Sequence, residues 1–230
     1  METSRPTHLP GYAELCLEAL AAKGLGHKIS LGGAFGLLHY LDYRQTHDVD
    51  ACWDPSASPE ERRRVVEVID AALRTAGRVR VRTWGDVVSV ELLRGAKKVF
   101  SFQIAKRSAQ LEESRPAPWT EVLLDSFADL VANKMNALVE RGAPRDFRDV
   151  YTVCQHGLVS PAECWRLWRQ RQELAGASTD ARRARLAVET HLARIVRHRP
   201  LAAITDPADR AAAERARRWY QTELLDALVD

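Results

Sequence analysis

The chain reads as an α+β protein: a mixed β-sheet flanked by helices, followed by a helical C-terminal region. Three observations predict this. Residues 79–83, 87–93 and 98–105 are runs rich in Val, Phe and Ile, separated by Gly85-Asp86 and Gly95-Ala96, as strands joined by tight turns are. Residues 12–23 and 59–76 carry apolar positions at helical spacing around these runs. From Pro161 to the end no strand pattern returns, and the remaining runs read as helices.

In chain order, helix 12–23 presents Leu15, Leu17, Ala19 and Leu20 and is ended by Gly24 and Gly26. A short strand, 27–31, closes on Gly32-Gly33, and a helix is expected over 34–41. Residues 48–53 form the second strand. Pro59 suits the first turn of the next helix, and Gly77 stops it. After the three strands, 112–119 with Pro116 and Pro118 reads as a loop. Ser126 and Asp129 fit a variant capping box, and Phe127, Leu130, Val131 and Leu138 form an apolar stripe behind it. Gly142 ends that helix. Pro144 starts another, carrying Phe147, Val150, Tyr151 and Cys154 inward. A division into residues 1–155 and 156–230 follows from this order.

At 230 residues the chain can bury a sizeable core. No apolar run approaches the ~20 residues that span a bilayer, and the first ten residues lack an apolar signal core, so a cytoplasmic protein without a membrane partner is expected. Cys16, Cys52, Cys154 and Cys164 show no paired spacing, which suits reduced thiols. Cys154, His156 and Cys164 have no second ligand pair that would complete a zinc site. The net charge of +3 resides in the tail: from Pro161 to the end there are thirteen arginines, no lysine and ten carboxylates.

Two clusters carry chemistry. Asp48 and Asp50 alternate along one strand and point to one face, while Val49, Ala51 and Trp53 face the opposite side. Paired carboxylates are hard oxygen ligands that suit Mg2+. Just before them, Gly32-Gly33 lets a phosphate approach the backbone at the start of a helix. A solvated strand edge and a simple tight turn are the competing readings. In the second cluster Lys134 falls inside the apolar stripe, where an ammonium without a partner is costly. Arg141, Arg145, Asp146 and Asp149 follow it, as the edge of a nucleotide site would, and a snorkelling lysine paired with Asp146 or Asp149 is the alternative. In the tail, Trp165 and Trp168 alternate with Arg166, Arg169 and Arg171, and Arg182, Arg183, Arg185, Arg194, Arg197 and Arg199 follow. That pattern reads either as a phosphate- and base-binding surface or as solvated helix faces.

The Gly32-Gly33 pair, the segment T-H-D-V-D, the run D-L-V-A-N-K-M-N-A-L and the run R-G-A-P-R-D-F-R-D-V-Y together resemble the AbiEii/AbiGii nucleotidyltransferase family, over residues 25–154. The resemblance implies a nucleotidyltransferase-like fold and places Gly32, Gly33, Thr46, Asp48, Asp50, Lys134, Asp146 and Asp149 at functional positions. It implies Mg2+-dependent transfer of a nucleotide from an NTP to an acceptor hydroxyl, with tRNA or other RNA as acceptor and a cognate antitoxin as partner. Two departures stand out. Ala34 replaces the Ser or Thr that many members carry after Gly-Gly. Gln103 occupies a strand where this fold often has a third carboxylate, with Glu91 on the neighbouring strand as a substitute. A non-catalytic nucleotide- or protein-binding module on the same fold is the second reading. An RNA-binding helical protein with an N-terminal scaffold is the third.

Overall fold

The computed structural model describes residues 2–228, which divide into two compact units with the boundary between Leu130 and Val131. In the first unit the strands are β1 (Ile29–Gly32), β2 (Asp48–Trp53), β3 (Arg78–Trp84), β4 (Val87–Arg94), β5 (Lys97–Ala105), β6 (Arg115–Pro116) and β7 (Leu123–Leu124). They form one sheet in the order β3-β4-β5-β2-β1-β7-β6. The β2/β5 and β1/β7 pairs are parallel, and the other neighbours are antiparallel. The sheet is therefore mixed, as expected. The short strands β6 and β7 fall in and just after the stretch read as a loop; two residues each is too short for any pattern to show.

Helices α1 (Gly11–Ala22), α2 (Gly33–Leu37) and α3 (Pro59–Arg74) complete this unit up to the start of α4 (Phe127–Glu140), within which the boundary between the units falls. α3 starts on a full capping box: Glu61 N donates to Ser58 Oγ, and Ser58 N donates to Glu61 Oε2. α2 is shorter than the expected 34–41 helix, and a turn through Tyr40 finishes that stretch. α1 packs on α3, and the core takes Val49, Ala51 and Trp53 from β2 with Phe100, Phe102 and Ile104 from β5, as the alternation along β2 required.

The second unit is helical: the remainder of α4, then α5 (Pro144–Gln155), α6 (Pro161–Leu174), α7 (Ala181–His198) and α8 (Pro207–Trp219), which runs on into a short π-helical turn. Tyr220 anchors it. Its ring meets Phe147 edge-on at 4.6 Å, and its hydroxyl donates to Phe147 O at 2.6 Å. No helix among the described residues is long and apolar enough to cross a membrane.

Candidate active site

Within the first unit, strand pairing lays polar residues in rows across one face of the sheet, because paired neighbours point the same way. One row runs Arg80, Glu91, Ser101, Asp48; the next runs Arg82, Ser89, Gln103, Asp50, Gly32. Asp48 Oδ1 accepts from Ser101 N at 3.0 Å and Ser101 Oγ at 2.8 Å, with Lys98 Nζ at 3.4 Å. These contacts all fall on one oxygen. Thr46 Oγ1 donates to Asp48 O at 3.2 Å and so fixes the entry to the strand.

Asp50 is exposed at the mouth of the Gly32-Gly33 turn. Gly33 has φ +57, and a Cβ there would lie 2.7 Å from Asp50 Cβ. Glycine is required twice over, by the left-handed backbone and by the carboxylate lying against it. The structure therefore brings Gly32, Gly33, Thr46, Asp48 and Asp50 together. Two carboxylates on one face fit a hard cation whose remaining positions go to phosphates and water. Among the described residues no group of three Asp, Glu, His or Cys is placed to hold a metal, so the donor set stops at two.

Glu91 does not extend it. It accepts from Arg80 Nε at 2.8 Å and Nη2 at 2.6 Å and has Arg82 at 3.9 Å. Its charge is already compensated, two strands away from Asp48. Gln103 pairs directly with Asp50 and carries no charge.

In the second unit, Lys134 is 7% exposed and lies 2.6 Å from Asp149 Oδ2 and 3.9 Å from Asp146 Oδ1. Both carboxylates are fully buried. Asp146 also accepts from Arg141 Nε at 2.9 Å and Nη2 at 3.0 Å. The structure thus brings Lys134, Arg141, Asp146 and Asp149 into one network, with α4 and the turn just after it supplying the cations and α5 the anions. Arg145 is exposed and joins none of these bonds. The lysine is paired with both aspartates, as the paired reading of the stripe describes.

A third cluster was not visible in the sequence. Arg107, from the loop after β5, donates through Nη2 to Ser30 Oγ and to Asp125 Oδ1, each at 2.5 Å, with Asp129 Oδ1 at 4.0 Å. Asp125 is fully buried, and that burial pushes its carboxyl above the usual range even against Arg107. Asp129 Oδ2 accepts the Ser126 hydroxyl at 2.8 Å, while its two oxygens also take Leu111 N and Glu112 N. The expected capping box is thus half present, since Asp129 also holds a loop. An arginine in a loop and an aspartate ahead of a helix cap carry no spacing signal.

The tail shows where its two tryptophans lie. Trp165 and Trp168 are 3% and 2% exposed and pack edge-on to each other, and Trp165 Nε1 donates to Leu224 O at 2.7 Å. They are core and do not present their faces to a base. Several arginines also bond within the unit: Arg166 to Glu163, Arg185 to Glu189 and Leu225 O, and Arg194 to Arg141 O. Cys154 and Cys164, which looked unrelated by spacing, place their sulfurs 3.6 Å apart as free thiols.

A family model described as "Nucleotidyl transferase AbiEii toxin, Type IV TA system" matches residues 15–224. Among solved structures, the antibiotic-resistance factor ANT(2'')-Ia is similar at 16% identity and TM-score 0.51, with 80% of this chain and 96% of that one covered. An H. pylori protein described as a candidate nucleotidyltransferase is similar at 16% identity and TM-score 0.50, with 96% and 97% covered. At that identity the likeness concerns the fold, which is nucleotidyltransferase-like. No curated protein sequence matches the chain significantly.

Proposed function

The chain belongs to the AbiEii nucleotidyltransferase family, and from that premise we propose that it moves a nucleotide from an NTP to an acceptor hydroxyl, with release of pyrophosphate. The observation that carries the proposal is the placement of Asp48 and Asp50 on one sheet face, with Asp50 lying against the Gly33 backbone. Asp48 and Asp50 hold Mg2+ in this reading, and Gly32, Gly33 and Thr46 frame the phosphates. Mg2+ supplies charge neutralisation on the triphosphate and the leaving pyrophosphate during an in-line displacement. The absence of a side chain at Gly32 and Gly33 lets phosphate oxygens reach the main chain, which offsets the missing hydroxyl at Ala34.

Lys134, Asp146 and Asp149 enter through the family motif. The two buried carboxylates hold the ammonium in one position, the preorganisation that a stabiliser of triphosphate charge needs. Arg141 and Arg145 are the accompanying nucleotide contacts. The acceptor in this proposal is tRNA or another RNA, and the biological setting is a toxin-like role in a toxin–antitoxin or phage-defence system with a cognate antitoxin.

A second reading keeps the fold and drops the chemistry: a nucleotide- or protein-binding module that transfers nothing. Gln103 beside Asp50, where no charge is present, favours it. Calorimetry of NTP binding with and without Mg2+ tests the site. Asp48→Asn with Asp50→Asn should abolish the metal-dependent part of the affinity. An unchanged metal dependence would remove these carboxylates from the site.

A further inference from the structure

We propose that Asp125 is a positioning residue for the divalent cation at Asp48 and Asp50: its Oδ2 accepts a hydrogen bond from water carried by that cation. The inference rests on the reading of Asp48 and Asp50 as cation ligands and adds a residue that neither the family motifs nor the sequence pattern single out.

Three positions stand side by side. Gly32 on β1 pairs with Asp50 on β2. Asp125 follows Leu124 of β7, and its N–H donates to Leu31 O at 3.0 Å, which continues the ladder and sets it beside Gly32 on the other side. Gly32 has no side chain, so none stands between Asp125 and Asp50 along this row. A Cβ on Gly32 would lie 3.2 Å from Asp125 Oδ2. That oxygen therefore leans over the glycine toward the row that holds Asp50.

The two oxygens of Asp125 differ. Oδ1 is engaged by Arg107 at 2.5 Å and by the Ser114 hydroxyl at 3.3 Å. Oδ2 is buried and has no hydrogen-bond partner. A buried carboxylate oxygen without a donor is costly, and native structures rarely leave one so unless a water, an ion or a function supplies the partner. Direct ligation is disfavoured, because Arg107 already balances the charge and no three carboxylates converge. Water on a cation held by Asp50 is a strong donor of the right kind, and Gly32 puts no side chain between that oxygen and the Asp50 row. Partners of this outer type orient the ligands that touch the metal.

The test is Mn2+ binding to the full-length protein without nucleotide, read by electron paramagnetic resonance beside a thermal melt. Native protein should bind Mn2+, and Asp50→Asn should lose it. Asp125→Asn should weaken affinity by about 10–100-fold, the usual effect of losing such a partner. Gly32→Ala approaches the same atom from the other side. It keeps both charges of the buried pair, its φ of -128 admits a Cβ, and the new methyl crowds Oδ2; it should weaken Mn2+ comparably. Asp129→Asn disturbs the same buried network through the loop and should leave Mn2+ affinity within about twofold. Gly32→Ala decides the matter if Asp125→Asn does not fold. Native-like Mn2+ affinity in a folded Asp125→Asn or in Gly32→Ala, with binding lost in Asp50→Asn, would overturn the role of Asp125 and leave the Asp48/Asp50 reading intact. Native protein that binds no Mn2+ would overturn both.

Discussion

The Asp50 side chain occupies the space that a side chain on Gly33 would need, with Asp50 Cβ 2.7 Å and Cγ 3.0 Å from where a Gly33 Cβ would sit. Turn and carboxylate are thereby one structural unit. Gly33→Ala should lower stability by about 1–2 kcal/mol from the left-handed backbone alone. It should also displace Asp50 and reduce affinity for Mg-NTP by at least about tenfold, near 1.4 kcal/mol. Melting and calorimetry on the same variant check both. A destabilised variant with full nucleotide affinity would separate the turn from the site.

Lys134 carries a stability prediction. Read as a scaffold residue in an apolar stripe, it should tolerate Lys134→Met, because a buried ion pair often adds little net stability. The structure shows why that fails: Asp149 and Asp146 are fully buried, and Lys134 is the ammonium nearest to Asp149 among the described contacts. Removing one partner of a buried pair costs about 3–5 kcal/mol. Lys134→Met should show a loss of that order in the melt, and Lys134→Met with Asp149→Asn should recover part of it. A melt equal to the native one would contradict the buried network.

The tail gives a test of the RNA contact proposed above. Trp165→Phe should cost about 1 kcal/mol through the lost bond to Leu224 O and leave RNA affinity alone, since the ring is core. Arg182 and Arg183 are exposed on α7. Replacing both by Ala should lower the salt dependence of RNA binding by about two phosphate contacts. An unchanged salt slope would move any RNA contact away from this part of α7.

The five longer strands and the Asp48/Asp50 face were legible because strand alternation is a local pattern, with Val49, Ala51 and Trp53 buried together, whereas the two-residue strands β6 and β7 were not. Lys134 was legible as an anomaly for the same reason, a charge at a stripe position. The Arg107–Asp125 pair was not, because its members lie 18 residues apart on connecting segments and meet only through the order of strands. Trp165 and Trp168 left two readings open because aromatic–arginine alternation looks the same for a core stripe with a solvated back as for a stacking surface. Burial alone separates the two.

His39 gives the molecule a pH dependence. Trp119 Nε1 donates to its Nε2 at 3.1 Å, which leaves the proton on Nδ1, 3.0 Å from Phe35 O. The ring is 1% exposed, and burial holds its pKa below the ordinary imidazole value, against the backbone bonds that raise it. Below the ordinary value of about 6.5 the unfolded chain takes a proton that the folded chain refuses. The His39 contribution is therefore complete above that value and is lost as the pH falls toward the folded pKa. Urea unfolding at pH 7.5 and below 6, compared between native protein and His39→Gln, should show the smaller pH slope in the variant. Equal slopes would assign the acid sensitivity to other groups.

The central claim is that Asp48 and Asp50 serve nucleotide transfer. The most direct measurement incubates purified protein with each labelled NTP, Mg2+ and total RNA, and follows label into RNA for the native chain and for Asp50→Asn. The account predicts transfer from at least one NTP and a loss of about two orders of magnitude or more in Asp50→Asn, with the melt close to native. Label transfer undiminished in the folded Asp50→Asn variant, or Mg-dependent NTP binding by the native protein with no transfer to any RNA present, would contradict it, the latter in favour of a binding module.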